Sequence, residues 1–116
     1  MYRKKVSLAN ESDARITILV LGGKWKPQIL KLLAAGPLRP SQLIKSLPEA
    51  GVRVVNQQLS ELLHYGVVSR RAIDVVKPYS LYALTECGRA LLPIIDAMER
   101  WGSDFRSQFN DATPYV

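Results

Sequence analysis

The sequence predicts a mainly α-helical domain with one small β-hairpin: a winged helix-turn-helix followed by a long C-terminal helix. Three observations carry this. A short helix, a turn and an amphipathic helix with an almost uncharged polar face follow one another over residues 39–65. Two strand-like stretches joined by a tight turn come directly after them, over 67–84. A final stretch, 86–109, then repeats apolar residues at helical spacing well beyond what so small a domain needs to bury.

The 116 residues are 47% hydrophobic and 22% charged, which suits one domain with a modest core. Apolar runs are too short to cross a bilayer, and no secretory h-region follows Met1. The lone cysteine, Cys87, excludes an internal disulfide and fits the cytoplasm. Charge is unevenly placed. Residues 1–80 hold 13 Lys/Arg against 5 Asp/Glu, a balance of +8, whereas residues 81–116 hold 3 against 5, a balance of −2. A basic body and a mildly acidic end point to a polyanion-binding part and a separate part with another task.

Taken in order, residues 1–11 read as a flexible basic arm, with Arg3, Lys4 and Lys5 in reach of phosphates. Ser12 or Asp13 caps a helix to Leu21, with Ile16, Leu19 and Val20 inward and Ile18 and Leu21 widening its apolar surface. Gly22-Gly23 ends it. Gly22-Gly23-Lys24 is not a phosphate loop, since the upstream Gly and the following Ser/Thr are missing. A second helix, Lys24–Ala35, places Trp25, Ile29, Leu32 and Leu33 at core spacing and tolerates Pro27 in its first turn.

Gly36-Pro37 breaks the chain, and Arg39–Leu47 forms the first helix of the helix-turn-helix, closed by Pro48. From Gly51 to Tyr65 the second helix carries Val52, Val55, Leu59, Leu62 and Leu63 on its core stripe. Arg53, Val54, Asn56, Gln57 and Ser60 fall on or beside the opposite face, with His64. Arg53, Asn56 and Gln57 can hydrogen-bond base edges in a major groove, and Val54 can meet a thymine methyl. Arg39, Ser41 and Gln42 would sit near phosphates. Val67–Ile73 and Tyr79–Leu84 are the strands of the wing, with Arg70, Arg71 and Lys77 as its cations.

Thr85 caps the last helix, Glu86–Phe109, in which Leu91, Ile94, Ile95, Met98, Trp101, Phe105 and Phe109 recur at helical spacing. With Ile18 and Leu21 of helix 13–21, these are the candidate dimer interface; the competing reading folds the helix back on its own core. Residues 110–116 form a tail. The single domain therefore spans 12–109. One His and one Cys, without paired carboxylates or a matched nucleophile, give neither an enzyme active site nor a metal site, and no cofactor is implied. Double-stranded DNA and a second copy of the chain are the expected partners. A pocket for a small-molecule effector between the first helix, Trp25 and the last helix competes with dry packing there. The rival function is a winged helix that binds proteins.

Several segments resemble the HxlR family of bacterial winged-helix transcription regulators. They are Leu21-Gly-Gly-Lys-Trp25, Gln57-Gln-Leu-Ser-Glu-Leu62, Gly66-Val-Val-Ser-Arg70 and Tyr82-Ala-Leu-Thr-Glu86 with Gly88. The resemblance runs from about Ser12 to Phe105 and implies a homodimer that binds inverted-repeat DNA, a repressor more often than an activator. Two departures limit it. Where the family often has Cys-Pro, this chain has Ser12-Asp13, and a hydroxyl cannot act as a redox thiol. Where the family often begins the recognition helix with Ser-Gln-Lys, this chain has Gly51-Val52-Arg53, so operator preference does not transfer. Cys87, in the first turn of the last helix, is expected as a packing residue rather than a sensor.

Overall fold

A computed structural model describes residues 7–109. The chain order is α1 (Asp13–Leu21), α2 (Lys26–Leu33), α3 (Pro40–Ser46), α4 (Gly51–His64), β1 (Val68–Ile73), β2 (Tyr79–Leu84), α5 (Glu86–Arg89) and α6 (Leu92–Gln108). Arg3, Lys4 and Lys5 and the tail from 110 lie outside the described residues. Within the expected arm, residues 7–11 form a turn in which the Glu11 N–H donates to the Leu8 carbonyl at 3.2 Å.

α1 is capped by Ser12, whose hydroxyl accepts from the Arg15 N–H at 3.2 Å. Its last residue, Leu21, is buried with Ile29, Leu30 and Leu33 of α2, Leu43 of α3, Val55, Leu59 and Leu62 of α4, and Ile95 of α6. This core sits where α2, α3 and α4 meet, so α4 is held along one side with the other side free. α4 ends at Gly66, whose φ of 74° is the left-handed conformation glycine adopts at little cost.

β1 and β2 pair antiparallel with Val68 opposite Leu84 and Ile73 opposite Tyr79. The outer edge of β2 is not left open. Leu38 and Tyr82 exchange two backbone hydrogen bonds of 2.9 and 2.8 Å, tying the chain before α3 to the hairpin. At the hairpin tip Asp74 takes a φ of 69°, and its Oδ1 accepts from the N–H groups of Val76 (2.9 Å) and Lys77 (3.3 Å). This Asx turn holds the tip in one shape.

The expected single helix 86–109 is two. α5 is one short turn, and Pro93 opens α6 in its first turn, where a missing N–H costs nothing. Consequently, Leu91 and Ile95 point into the protein's own core, and so does Leu21. These three were expected at a dimer interface and are instead buried within the chain itself. The physical reason is that α6 has two apolar faces. At 3.6 residues per turn, Trp101 and Phe105 lie about 80–120° around the helix from Ile95. α6 is steadied against α2 by Lys31, whose Nζ lies 2.6 Å from Glu99 Oε1 and 3.7 Å from Asp96 Oδ1. The hydrogen bond that the Lys31 ammonium donates to Glu99 holds it above its ordinary pKa.

Candidate nucleic-acid interface

The free side of α4 carries Arg53, Asn56 and Gln57, all exposed, with Ser60 half-buried beside them and His64 exposed one turn further on. No acidic residue occupies its first turn and no side chain caps it, so its first backbone N–H groups and the Arg53 guanidinium present positive potential together. The surface is rich in hydrogen-bond donors and amide groups and poor in acid. It suits the edges of base pairs and the phosphates beside them.

The two flanking valines are reversed relative to expectation. Val52 was placed on the core stripe, yet it is 59% exposed. Val54 was placed on the reading face, yet it packs partly against the core. A helical wheel fixes the direction of a side chain but not whether a neighbour exists at that height. α2 meets α4 at Gln58 and Glu61, and the first turn reaches beyond that crossing. Val52 is therefore the apolar side chain that stands next to Arg53 and Asn56.

α3 supplies the flank. Ser41 and Gln42 are exposed in its first turn, and the Gln42 Oε1 accepts from the Arg39 N–H at 2.8 Å, leaving the amide NH2 outward. The Arg39 guanidinium lies over the Tyr79 ring, 4.1 Å from its centre, a cation–π contact that limits its rotamers. Thus the N-cap residue of α3 is braced by the wing.

The wing cations do not share one face. Strand alternation sends Arg71 to the face shared with Tyr79 and Arg70 to the opposite one, where its Nε donates to Ser80 Oγ at 2.9 Å. Lys77 is exposed beside the tip, and Val75 and Val76 are 98% and 87% exposed there. The candidate surface so described takes in Arg39, Arg71 and the exposed side of α4.

Sequence reasoning missed what lies beneath. Lys26 is 2% exposed, with Nζ 2.7 Å from Glu61 Oε1 and 3.1 Å from the Gly22 carbonyl. Gln58 Oε1 accepts from the Trp25 N–H at 3.0 Å. A signal existed, since Lys26 precedes Ile29, Leu30 and Leu33 by three, four and seven positions and so shares their buried stripe. Cys87 was expected as a packing residue and is exposed instead. An open cleft of about 320 Å³ lies between α2, the end of α3 and α6, lined by Gln28, Lys31, Leu32, Ser46, Leu47 and Glu99. Neither Trp25 nor α1 lines it. Among the described residues no group of three or more His, Cys, Asp or Glu could hold a metal ion, and no helix is long and apolar enough to cross a membrane.

Comparison with known proteins agrees with this construction. Residues 20–110 match the model of the HxlR-like helix-turn-helix family. The HTH-type transcriptional regulator YkvN of Bacillus subtilis (strain 168) is 38% identical over 93 residues, covering 80% of this chain and 79% of YkvN. An HTH-type transcriptional regulator of Methanothermobacter thermautotrophicus is 35% identical over 95 residues, covering 82% of this chain and 72% of its own length. Among solved structures, the redox regulator HypR in its reduced form superposes with a TM-score of 0.75 at 36% identity, over 82% of this chain and 94% of HypR. These relatives are regulators of transcription rather than enzymes. With its helix-turn-helix, its wing and residues 20–110 all in agreement, this chain belongs to the HxlR family of helix-turn-helix transcriptional regulators.

Proposed function

We propose that two copies of this chain pair through α1 and α6 and bind an inverted-repeat operator in double-stranded DNA, repressing transcription by covering it. The observation that carries this reading is the free face of α4. Arg53, Asn56 and Gln57 stand exposed there, flanked by Arg39 and the wing, while the other face is locked into the core. The two α4 helices would enter successive major grooves roughly 34 Å apart, or a multiple of that. Arg53 and Gln57 would read bases, Asn56 and Val52 would assist, and Arg39, Ser41, Gln42, Arg71 and Lys77 would hold phosphates. Arg70, on the far face of the wing and bonded to Ser80, would contribute less.

The experiment is selection of binding sites from a random duplex library. Enrichment of an inverted repeat supports the reading; no enriched sequence overturns it in favour of a protein-binding winged helix. Arg53→Ala should then weaken the selected site by about 1–3 kcal/mol, roughly 5- to 150-fold, and random DNA far less. Lys77→Ala should weaken both alike and lower the slope of log affinity against log salt by about 1. Equal losses on both DNAs for Arg53→Ala would remove it from the reading face.

Pairing rests on the second apolar face. Ile94, Met98, Trp101 and Phe105 are exposed along α6, with Ile18 exposed on α1 and Phe109 just past the end of α6. Trp101, Phe105 and Phe109 stack with ring centres 5.1 and 5.2 Å apart. Such a run of aromatic rings is the composition of an interface core. Sedimentation should give about 26 kDa, twice the 13.0 kDa chain. Trp101→Asp should raise the dimer dissociation constant about 30-fold or more and leave the far-ultraviolet spectrum unchanged, because this side chain touches solvent rather than the core. An undiminished dimer would move the interface elsewhere.

A further inference from the structure

The corner between α1 and α2 has a property the DNA-facing surface does not require. It is fastened to the inner side of α4 by directed polar contacts. The Trp25 N–H donates to Gln58 Oε1, and the buried Lys26 ammonium donates to Glu61 Oε1 and to the Gly22 carbonyl. Gly23 fits between the two arms. A Cβ at that position would stand 3.1 Å from Gln58 Cδ and Oε1 and 3.1 Å from Lys26 Cδ, tighter than ordinary contact. Gly22, Gly23, Trp25 and Lys26 are therefore all engaged with α4 or with the group that grips it.

Apolar packing would hold these helices together as firmly. Burying an ion pair sacrifices solvation, and a hydrophobic pair of similar volume is often equally stabilising. What hydrogen bonds add is direction. Bonds to Gln58 and Glu61, one turn apart on one face of α4, fix both its height and its roll against the corner, where interdigitated methyl groups allow small slides. The corner is also the direct continuation of α1, whose Ile18 lies exposed on the proposed pairing face.

We infer that Lys26, Gln58 and Glu61 are positioning residues that fix the angle of α4 to α1, so that the dimer accepts one separation between half-sites. The inference rests on the dimeric DNA reading proposed above. In a symmetric dimer, any roll of α4 relative to α1 is applied twice, once in each copy, and moves the two reading faces in opposite senses along the DNA. A loosened clamp leaves each half-site contact intact and blurs the distance between them.

The test uses the full chain and the duplex recovered by selection, together with duplexes whose half-sites stand one or two base pairs closer or further apart. The double variant Lys26→Met with Glu61→Met removes both charges at similar volume, and Gln58→Met removes only the bond to Trp25. Both should remain dimers, with binding to random DNA and its salt slope unchanged. The preference for the selected spacing should fall about tenfold in the double variant and part of the way in Gln58→Met. An undiminished preference in either folded variant overturns the inference. Should the double variant not fold, Gln58→Met and Gly23→Ala decide the matter, since the added methyl presses on both arms at once. A full spacing preference in those two overturns it equally. Failure of the wild type to select an inverted repeat would instead defeat the dimeric reading before any variant is compared.

Discussion

Gly88→Ala should unfold much of this protein at physiological temperature. A Cβ at Gly88 would stand 2.0 Å from the carbonyl oxygen of Val67 and 3.0 Å from its carbonyl carbon. Backbone on that side cannot yield cheaply, because Val67 is buried and its carbonyl already accepts from the Thr85 N–H at 3.2 Å. Thr85 closes the same junction from the other end: its hydroxyl donates to the Gly66 carbonyl at 2.7 Å and accepts from the Gly88 N–H at 3.1 Å. The methyl group would thus push α5 off the start of the wing and break several of these bonds together. Overpacking alone costs about 1–3 kcal/mol, and the lost bonds add to it, so about 3–5 kcal/mol is expected. For a domain of this size each kcal/mol is roughly 4–8 °C in melting temperature. Urea unfolding followed by circular dichroism is the measurement. A midpoint within a few tenths molar of the wild type would mean that the α5 junction is softer than its geometry indicates.

The strength of that constraint was not legible in the sequence, although Gly88 itself belonged to a recognisable segment. Local pattern showed where a helix began, because Thr85 is a capping hydroxyl and Glu86 an acid in a first turn. It could not show that the Val67 carbonyl, 21 residues earlier and just before β1, would fill the space beside Gly88. Elements were legible for the same local reason: a cap at Ser12 or Asp13, of which the structure uses Ser12, Gly66 as a stop, and β2 over Tyr79–Leu84 by its alternation. The failures share a different cause. Val52 and Val54, Leu21, Leu91 and Ile95 were assigned by helical angle, which gives a direction but no neighbour. α6 shows this most clearly, since one apolar helix divides its side chains between the protein's own core and an open face, and only the position of α2 decides which is which.

Base-reading candidates fared differently. Arg53, Asn56 and Gln57 are exposed together because they oppose Val55, Leu59 and Leu62, a relation fixed within one helix. Arg70 and Arg71 were grouped as wing cations by nearness in sequence, but the pleat separates them, and only Arg71 shares a face with Tyr79 and hence with Arg39. Adjacency in a strand is opposition in space.

Lys26→Ala should be nearly as damaging as Gly88→Ala, and for the opposite reason: it removes atoms rather than adding them. The side chain is buried among Ile29, Leu30 and Leu33 and ends on Glu61 and the Gly22 carbonyl. Truncation leaves a cavity along its aliphatic stem, an unpaired carboxylate and a carbonyl short of a donor. Breaking a fully buried pair from one side costs about 3–5 kcal/mol. Here the Glu61 side chain keeps 30% of its exposure and can recover some hydration, so about 2–4 kcal/mol is expected. Lys26→Met should cost less, because the stem is refilled. Adding Glu61→Met should restore part of the remaining loss by removing the orphaned charge, a coupling that a double-mutant cycle of urea midpoints measures directly. Additive losses, with no recovery in the double variant, would mean that Glu61 is solvated well enough not to need its partner. The ammonium would then stabilise α4 chiefly through its aliphatic packing and its bond to Gly22.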